Sequence, residues 1–170
     1  PDMNDSLRRP GLVIAAYGRH CLVETETGER VICHPRGKKS QAVVGDRVWW
    51  QASADEGTIE KLQPRRNLLY RQDEIRTKSF AANLDQVLVL VAVEPMYAET
   101  QLARALIAAE SAGIPTTIVL NKTDLPTLAE ARERLAPYAA MGVPVLELSL
   151  KQQGAAAIAA LLPLLAGKAT

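Results

Sequence analysis

The stretch "QVLVLVAV" (86–93) has no charged residue and, after its first position, no polar one. A strand with one face in water alternates polar and apolar side chains, so an unbroken Val/Leu run predicts a strand covered on both faces. The residues after it agree. "AETQLARALIAAESAG" (98–113) places Leu102, Leu106 and Ala109 at helical spacing and stops at Gly113. Then come strand "TTIVL" (116–120), helix "TLAEARERLAPYAAMG" (127–142), strand "PVLELS" (144–149) and helix "AAAIAALLPLLAG" (155–167). Three strand–helix alternations require a parallel sheet with helices packed over it, and such sheets bind ligands at the carboxyl ends of their strands. Asn121 and Ser149 stand at that end.

The preceding residues obey a different grammar. "GLVIAAYG", "HCLVETE", "ERVICH", "VVGDRVWWQ" and "GTIEKLQ" are five short strand candidates divided by Gly-, Pro- or charge-rich joints. Five strands in this length predict a small Greek-key barrel of the OB type. The expected organisation is an all-β OB-type barrel over 1–72, a polar linker over 73–85 and an α/β part over 86–170.

Charge narrows little: 20 Lys and Arg stand against 19 Asp and Glu. Residues 1–80 carry 14 basic and 11 acidic side chains and residues 81–170 carry 6 and 8, so the net charge is +3 in one part and −2 in the other. No apolar run has the length of a membrane span, and "PDMNDSLRRP" has no signal-peptide core, which predicts a soluble, cytoplasmic protein without membrane contact. Cys21 and Cys33, beside His20 and His34, invite a zinc reading. A two-residue hairpin turn at Thr27-Gly28 would pair Cys21 with His34 and Leu22 with Cys33, dividing the four ligands between two sheet faces and aiming the sulfurs apart. No metal site is expected in this chain.

The second constellation is "NKTD", Asn121 to Asp124, directly after the strand "TIVL". A carboxylate at Asp124 can accept two parallel hydrogen bonds, and guanine offers a matching donor pair on its ring nitrogen and exocyclic amine, whereas adenine does not. A wrong base would be rejected by about two to four kcal/mol. Asn121 can bridge base and loop, and Lys122 can lay its aliphatic stem across the base. The plain alternative is that Asn and Asp are turn and helix-capping residues. A later turn, Ser149-Leu150-Lys151, occupies the place of the Ser-Ala-Lys-like turn whose backbone N–H reaches the guanine oxygen in guanine-nucleotide domains. The phosphate-binding G-x-x-x-x-G-K-[ST] is missing: "RGKKS" (36–40) and "AGKAT" (166–170) are decoys without the required glycine or hydroxyl. The space normally holding that loop holds a barrel, so the order of parts is rotated.

With "VVGDRVWW", "RRNLLYR", "AANLDQVLVLVAVEP", "GIPTTIVLNKTDL" and the late Ser-turn in this order, the chain resembles the circularly permuted, ribosome small subunit-dependent GTPase A family throughout its length. The resemblance implies the N-terminal portion of such a protein: an OB barrel that contacts ribosomal RNA, then half of a parallel-sheet P-loop GTPase domain. It implies GTP or GDP with Mg²⁺ as ligands, the small ribosomal subunit as partner, a role in its late maturation, and a monomeric full-length protein. Guanine recognition would fall to Asn121, Lys122, Asp124, Ser149, Leu150 and Lys151. In the family the phosphate loop, switch regions and a zinc-binding domain come later, so the catalytic and Mg²⁺-binding roles fall to no residue of this chain. The 170-residue chain is expected to be a truncated piece with negligible GTP affinity and an open edge at 86–93.

For RNA, the candidates are Arg36, Lys38 and Lys39 in one loop and Arg65 and Arg66 near the linker, with Arg71 beyond. Trp49 and Trp50 are adjacent on a strand, so one ring points outward as a stacking platform; Trp50 is assigned that role. Equally, both rings could shield the barrel end, and solvated charges account for the loop without RNA. The rival function is a nucleotide-independent RNA-binding or assembly module.

Overall fold

A computed structural model describes residues 7–37 and 41–170, which divide into two compact units, Pro1–Asn83 and Leu84–Thr170. In the first, β1 (Arg9–Ala16), β2 (Cys21–Thr25), β3 (Arg30–Pro35), β4 (Arg47–Ser53) and β5 (Glu56–Leu62) close into a barrel in the order β1-β2-β3-β5-β4. Alternate residues face inward, and Val13, Cys21, Val23, Cys33, Val48, Trp50 and Ile59 form the core. Glycines make room for the large ring: a Cβ on Gly11 would stand 2.9 Å from Trp50 Cδ1, and one on Gly57 2.9 Å from its Cε3.

Three sequence expectations are corrected in this unit. The β2–β3 hairpin has a three-residue loop ending in Gly28 at φ +84°, with Thr25 N–H donating to Glu29 O at 2.8 Å, so the register shifts by one and Cys21 faces Cys33. Both thiols are buried and neither is in a disulfide, while His20 and His34 lie outside the barrel core with ring centroids 5.9 Å apart. The four side chains are still split between faces. Burial pushes the Cys33 thiol up to about 11, with Cys21 and Glu56 adding to the shift. Second, Trp50 is only 5% exposed and belongs to the core, whereas Trp49 is 39% exposed; strand alternation puts the assigned ring inside. Third, residues 68–82, read from the sequence as the end of the barrel segment and most of the linker, hold an antiparallel hairpin, β6 (Leu68–Gln72) with β7 (Thr77–Ala82).

That hairpin is latched to the barrel at "VVGDR". Ala82 N–H donates to Val44 O at 2.8 Å, and a Cβ on Gly45, at φ +92°, would meet Ala82 O at 2.0 Å. Asn83, itself at φ +57°, donates from Nδ2 to Gly45 O at 2.9 Å and accepts Arg66 N–H on Oδ1 at 2.8 Å. Beside the latch, the fully buried Asp46 takes a two-point contact from Arg65, Nε to Oδ1 at 2.7 Å and Nη2 to Oδ2 at 2.8 Å. Val43 N–H also donates to Asp46 Oδ2 at 2.8 Å.

The second unit contains a parallel sheet ordered β10-β9-β8, from β8 (Val87–Ala92), β9 (Thr116–Asn121) and β10 (Val145–Glu147). Helices α1 (Glu99–Ser111) and α2 (Leu128–Ala140) cover one face, where Leu102, Ala131 and Leu135 pack on Val91, Ile118 and Leu120. Helix α3 (Gly154–Leu165) covers the other, with Ala157 and Leu161 against Leu88, Val119 and Leu146. Burying each large aliphatic side chain contributes about 1.5–3 kcal/mol. Two nearly identical sequence signals, "AGIP" and "MGVP", end α1 and α2. In each, glycine at positive φ lets two N–H groups turn back on the helix: Gly113 to Glu110 O and Ile114 to Ala109 O, both at 2.9 Å, and Gly142 to Ala139 O and Val143 to Tyr138 O at 3.0 and 3.1 Å. The proline then starts the approach to the next strand. Strand β8 is an edge strand of this sheet, as is β10, and Leu90 on its α3-facing side is 62% exposed. Among the described residues no helix is long and apolar enough to cross a membrane.

Candidate functional site

Parallel pairing brings the carboxyl ends of all three strands of the second unit to one rim. Asn121, the last residue of β9, pairs with Ala92 of β8, and Glu147 of β10 pairs with Leu120. The chain beyond each strand must therefore turn over the same edge, and there the two sequence motifs meet. Ser149 is buried, and its hydroxyl donates to Asp124 Oδ1 at 2.6 Å. Asn121 Oδ1 accepts the Leu150 N–H at 3.0 Å, and Thr123 N–H donates to Leu148 O at 3.3 Å. Residues more than twenty positions apart are thus tied by three hydrogen bonds.

Asp124 itself is exposed, and among the described residues no donor besides Ser149 reaches its carboxylate. One oxygen accepts the Ser149 hydroxyl and the other has no donor among the described residues, which leaves it able to accept from a ligand. Of the backbone N–H groups in the Ser149-Leu150-Lys151 turn, that of Leu150 is already taken by Asn121; the next amide, at Lys151, has no acceptor among the described residues. The Lys151 side chain is exposed.

Lys122 has φ +65°, a conformation costly for a residue with a Cβ, and its Nζ donates to Glu94 O at 2.8 Å. Glu94 follows β8 on the same rim, and its Oε1 accepts the Thr127 hydroxyl at 2.6 Å. Neither Glu94 nor Thr127 was legible as a site residue. Nothing in "VEPMYAE" or "LPTLAE" marks a pair that only strand order makes adjacent.

The cationic candidates of the first unit have separate fates. Arg65 is not a free surface cation: its guanidinium grips Asp46 and also donates to Gln41 O at 2.7 Å, and the hydrogen bond to Asp46 raises its pKa further above the ordinary arginine value. Arg66 donates to Asn83 O at 2.9 Å from an otherwise exposed position. Arg36 is exposed and lies 3.2 Å from Glu60 Oε2. Lys38 and Lys39 fall outside the described residues. The exposed ring is Trp49, which faces Lys61 across β5 and shares its side of β4 with Arg47. The hairpin carries a second exposed set, Tyr70, Arg71, Lys78 and Phe80, with Lys78 Nζ 5.6 Å from the Phe80 ring centre. Among the described residues no group of three or more His, Cys, Asp or Glu side chains could hold a metal ion.

The model of the RsgA GTPase family matches residues 62–170. A protein of Variovorax paradoxus named small ribosomal subunit biogenesis GTPase RsgA is 70% identical over 161 residues, which are 94% of this chain and 51% of that protein. Its namesake in Paraburkholderia phytofirmans is 51% identical over 173 residues, covering 100% of this chain and 55% of that one. Among solved structures, YjeQ from Thermotoga maritima superposes with a TM-score of 0.62 at 33% identity, over 85% of this chain and 53% of that chain. The chain therefore spans about half the length of the relatives it matches. An OB-like barrel followed by the parallel sheet of a circularly permuted GTPase is the fold these matches support. The chain belongs to the RsgA GTPase family.

Proposed function

We propose that the protein binds GTP and GDP, hydrolyses GTP and acts in late maturation of the small ribosomal subunit in the cytoplasm, with its barrel on ribosomal RNA. The observation that carries the nucleotide reading is the junction of the two motifs at one sheet rim, Ser149 to Asp124 at 2.6 Å and Leu150 to Asn121 at 3.0 Å. A serine hydroxyl that occupies one carboxylate oxygen restricts rotation of the carboxylate and turns the other oxygen toward an incoming donor pair. Asp124 then accepts from the guanine ring nitrogen and amine, the Lys151 N–H meets the purine oxygen, and Lys122 walls one side of the base. Discrimination arises because adenine would leave the carboxylate without donors.

The phosphates and Mg²⁺ have no assigned residues in this chain, so the 170-residue segment by itself is expected to bind GTP negligibly and not to hydrolyse it. On the barrel, the proposed RNA contact is Trp49 with Arg47 and Lys61, whose positions in the strand register put two cations beside the ring, and the proposed phosphate contacts are Arg36, Arg66, Lys38 and Lys39. The full-length protein acts as a monomer. Calorimetry on the full-length gene product, with GDP and ADP in parallel, tests the reading: tight binding of GDP alone is expected. Equal affinity, or none, would instead favour a nucleotide-independent RNA-binding module.

A further inference from the structure

We infer that Glu94 is a positioning residue for the guanine-recognition loop, acting on it through Thr127 and Lys122; this rests on the proposed nucleotide function. Asp124 sits in the middle of a short loop whose two ends are both tied to Glu94. At the near end Lys122 Nζ donates to the Glu94 carbonyl at 2.8 Å, and at the far end the Thr127 hydroxyl donates to the Glu94 carboxylate at 2.6 Å.

The Thr127 contact is informative because a cheaper partner lies closer. Thr127 is the N-cap residue of α2, where a threonine hydroxyl ordinarily accepts an N–H from the first turn, yet it makes no side-chain cap bond. Instead it is turned toward a carboxylate 33 residues earlier in the chain. Lys122 likewise holds φ +65° with its ammonium bonded to a backbone oxygen although it could extend into water. Both departures from local preference converge on one residue, and both act on the segment that carries Asp124. The residue that follows β8 supports this anchor, since Val93 N–H donates to Asn121 O at 3.0 Å and so holds the neighbouring Glu94 against the start of the loop. Clamped at both ends, the loop presents Asp124 in one orientation before ligand arrives, and the ligand need not order it.

Side-chain substitution separates the two ties, because the Lys122 bond uses the Glu94 carbonyl and survives it. In the full-length gene product, Glu94→Ala and Thr127→Val should each weaken GDP binding about threefold to tenfold, read by calorimetry. Glu94→Gln, which keeps an acceptor oxygen, should restore most of it. The double variant should be no weaker than either single one, because both remove the same bond. KM for GTP should rise with kcat little changed, and hydrogen exchange at 123–125 should quicken in Glu94→Ala. Wild-type affinity in both single variants, or additive losses in the double, would overturn the clamp alone. Absence of any guanine preference in the unsubstituted protein would overturn the nucleotide reading, and the clamp's role with it.

Discussion

Asp46 and Asp124 are the same side chain in two settings, and their contrast separates the two units of this protein. Asp46 is fully buried, and its two oxygens take a two-point contact from Arg65 and a backbone N–H from Val43. Asp124 is exposed and accepts one hydroxyl, from Ser149. The first carboxylate has no capacity left for a ligand and holds the barrel's latch together; the second is held at one oxygen and open at the other. An acidic residue in a short polar motif reads alike in both cases. What distinguishes them is whether the fold surrounds the carboxylate with its own donors or leaves it at a rim.

The sharpest test of this contrast removes Arg65. Arg65→Met should strand a buried carboxylate and cost about 3–5 kcal/mol, measured by urea unfolding of the barrel unit. An unchanged midpoint would return Arg65 to the surface as a cation free for RNA, and the contrast would fail. Next in size, Asp124→Asn in the full-length protein should leave stability nearly unaltered while shifting preference from guanosine toward xanthosine nucleotides. Two to four kcal/mol of discrimination, roughly, should reverse in competition binding. A stability loss comparable to that of Arg65→Met would show that Asp124 is a structural residue after all.

A smaller effect concerns the barrel interior. Cys33 is raised from 9.0 to about 11, so the folded state holds its proton more tightly than the unfolded chain does. Its contribution is complete below about pH 9 and is lost as pH rises toward 11, by about 2–3 kcal/mol. Cys33→Ala should flatten that alkaline limb of the unfolding curve, and a limb of unchanged slope would assign it to other groups. Smallest of all should be Arg132→Gln. The guanidinium meets Glu147 at 2.6 and 2.7 Å, but on the surface, where water and salt screen it. Its hydrogen bond holds the Glu147 carboxyl below the ordinary glutamate range, so this bridge supports the fold above that range and is lost as pH falls. The midpoint should move slightly at low ionic strength and not at about 1 M salt.

Much of this architecture was legible because it is written in local period. The five barrel strands, the apolar strand within 86–93 and the glycine stop of α1 come from alternation, helical spacing and left-handed caps, all of which involve residues within a few positions of each other. The β6–β7 hairpin was not legible. "LLYRQ" and "TKSFAA" are short and only weakly alternating, and they become strands by pairing with each other and by docking Ala82 over Gly45. The one-residue slip in β2–β3 came from the loop. A two-residue turn and a three-residue turn with a left-handed glycine share the same Thr-Gly signature, yet they place opposite sets of side chains inside. That difference puts the two sulfurs together in the core and the two imidazoles outside it.

By itself the sequence determined that a barrel precedes a parallel sheet, and that an amide, an ammonium and a carboxylate end the sheet's central strand. Both are consequences of chain-local physics: periodicity, turn stereochemistry and the chemistry of adjacent side chains. Only the tertiary structure decided which tryptophan faces water, which arginine is held inside and which distant residues brace the recognition loop. Those outcomes depend on which strands become neighbours, and contacts such as Glu94 with Thr127 or Arg65 with Asp46 join positions whose separation along the chain carries no local pattern.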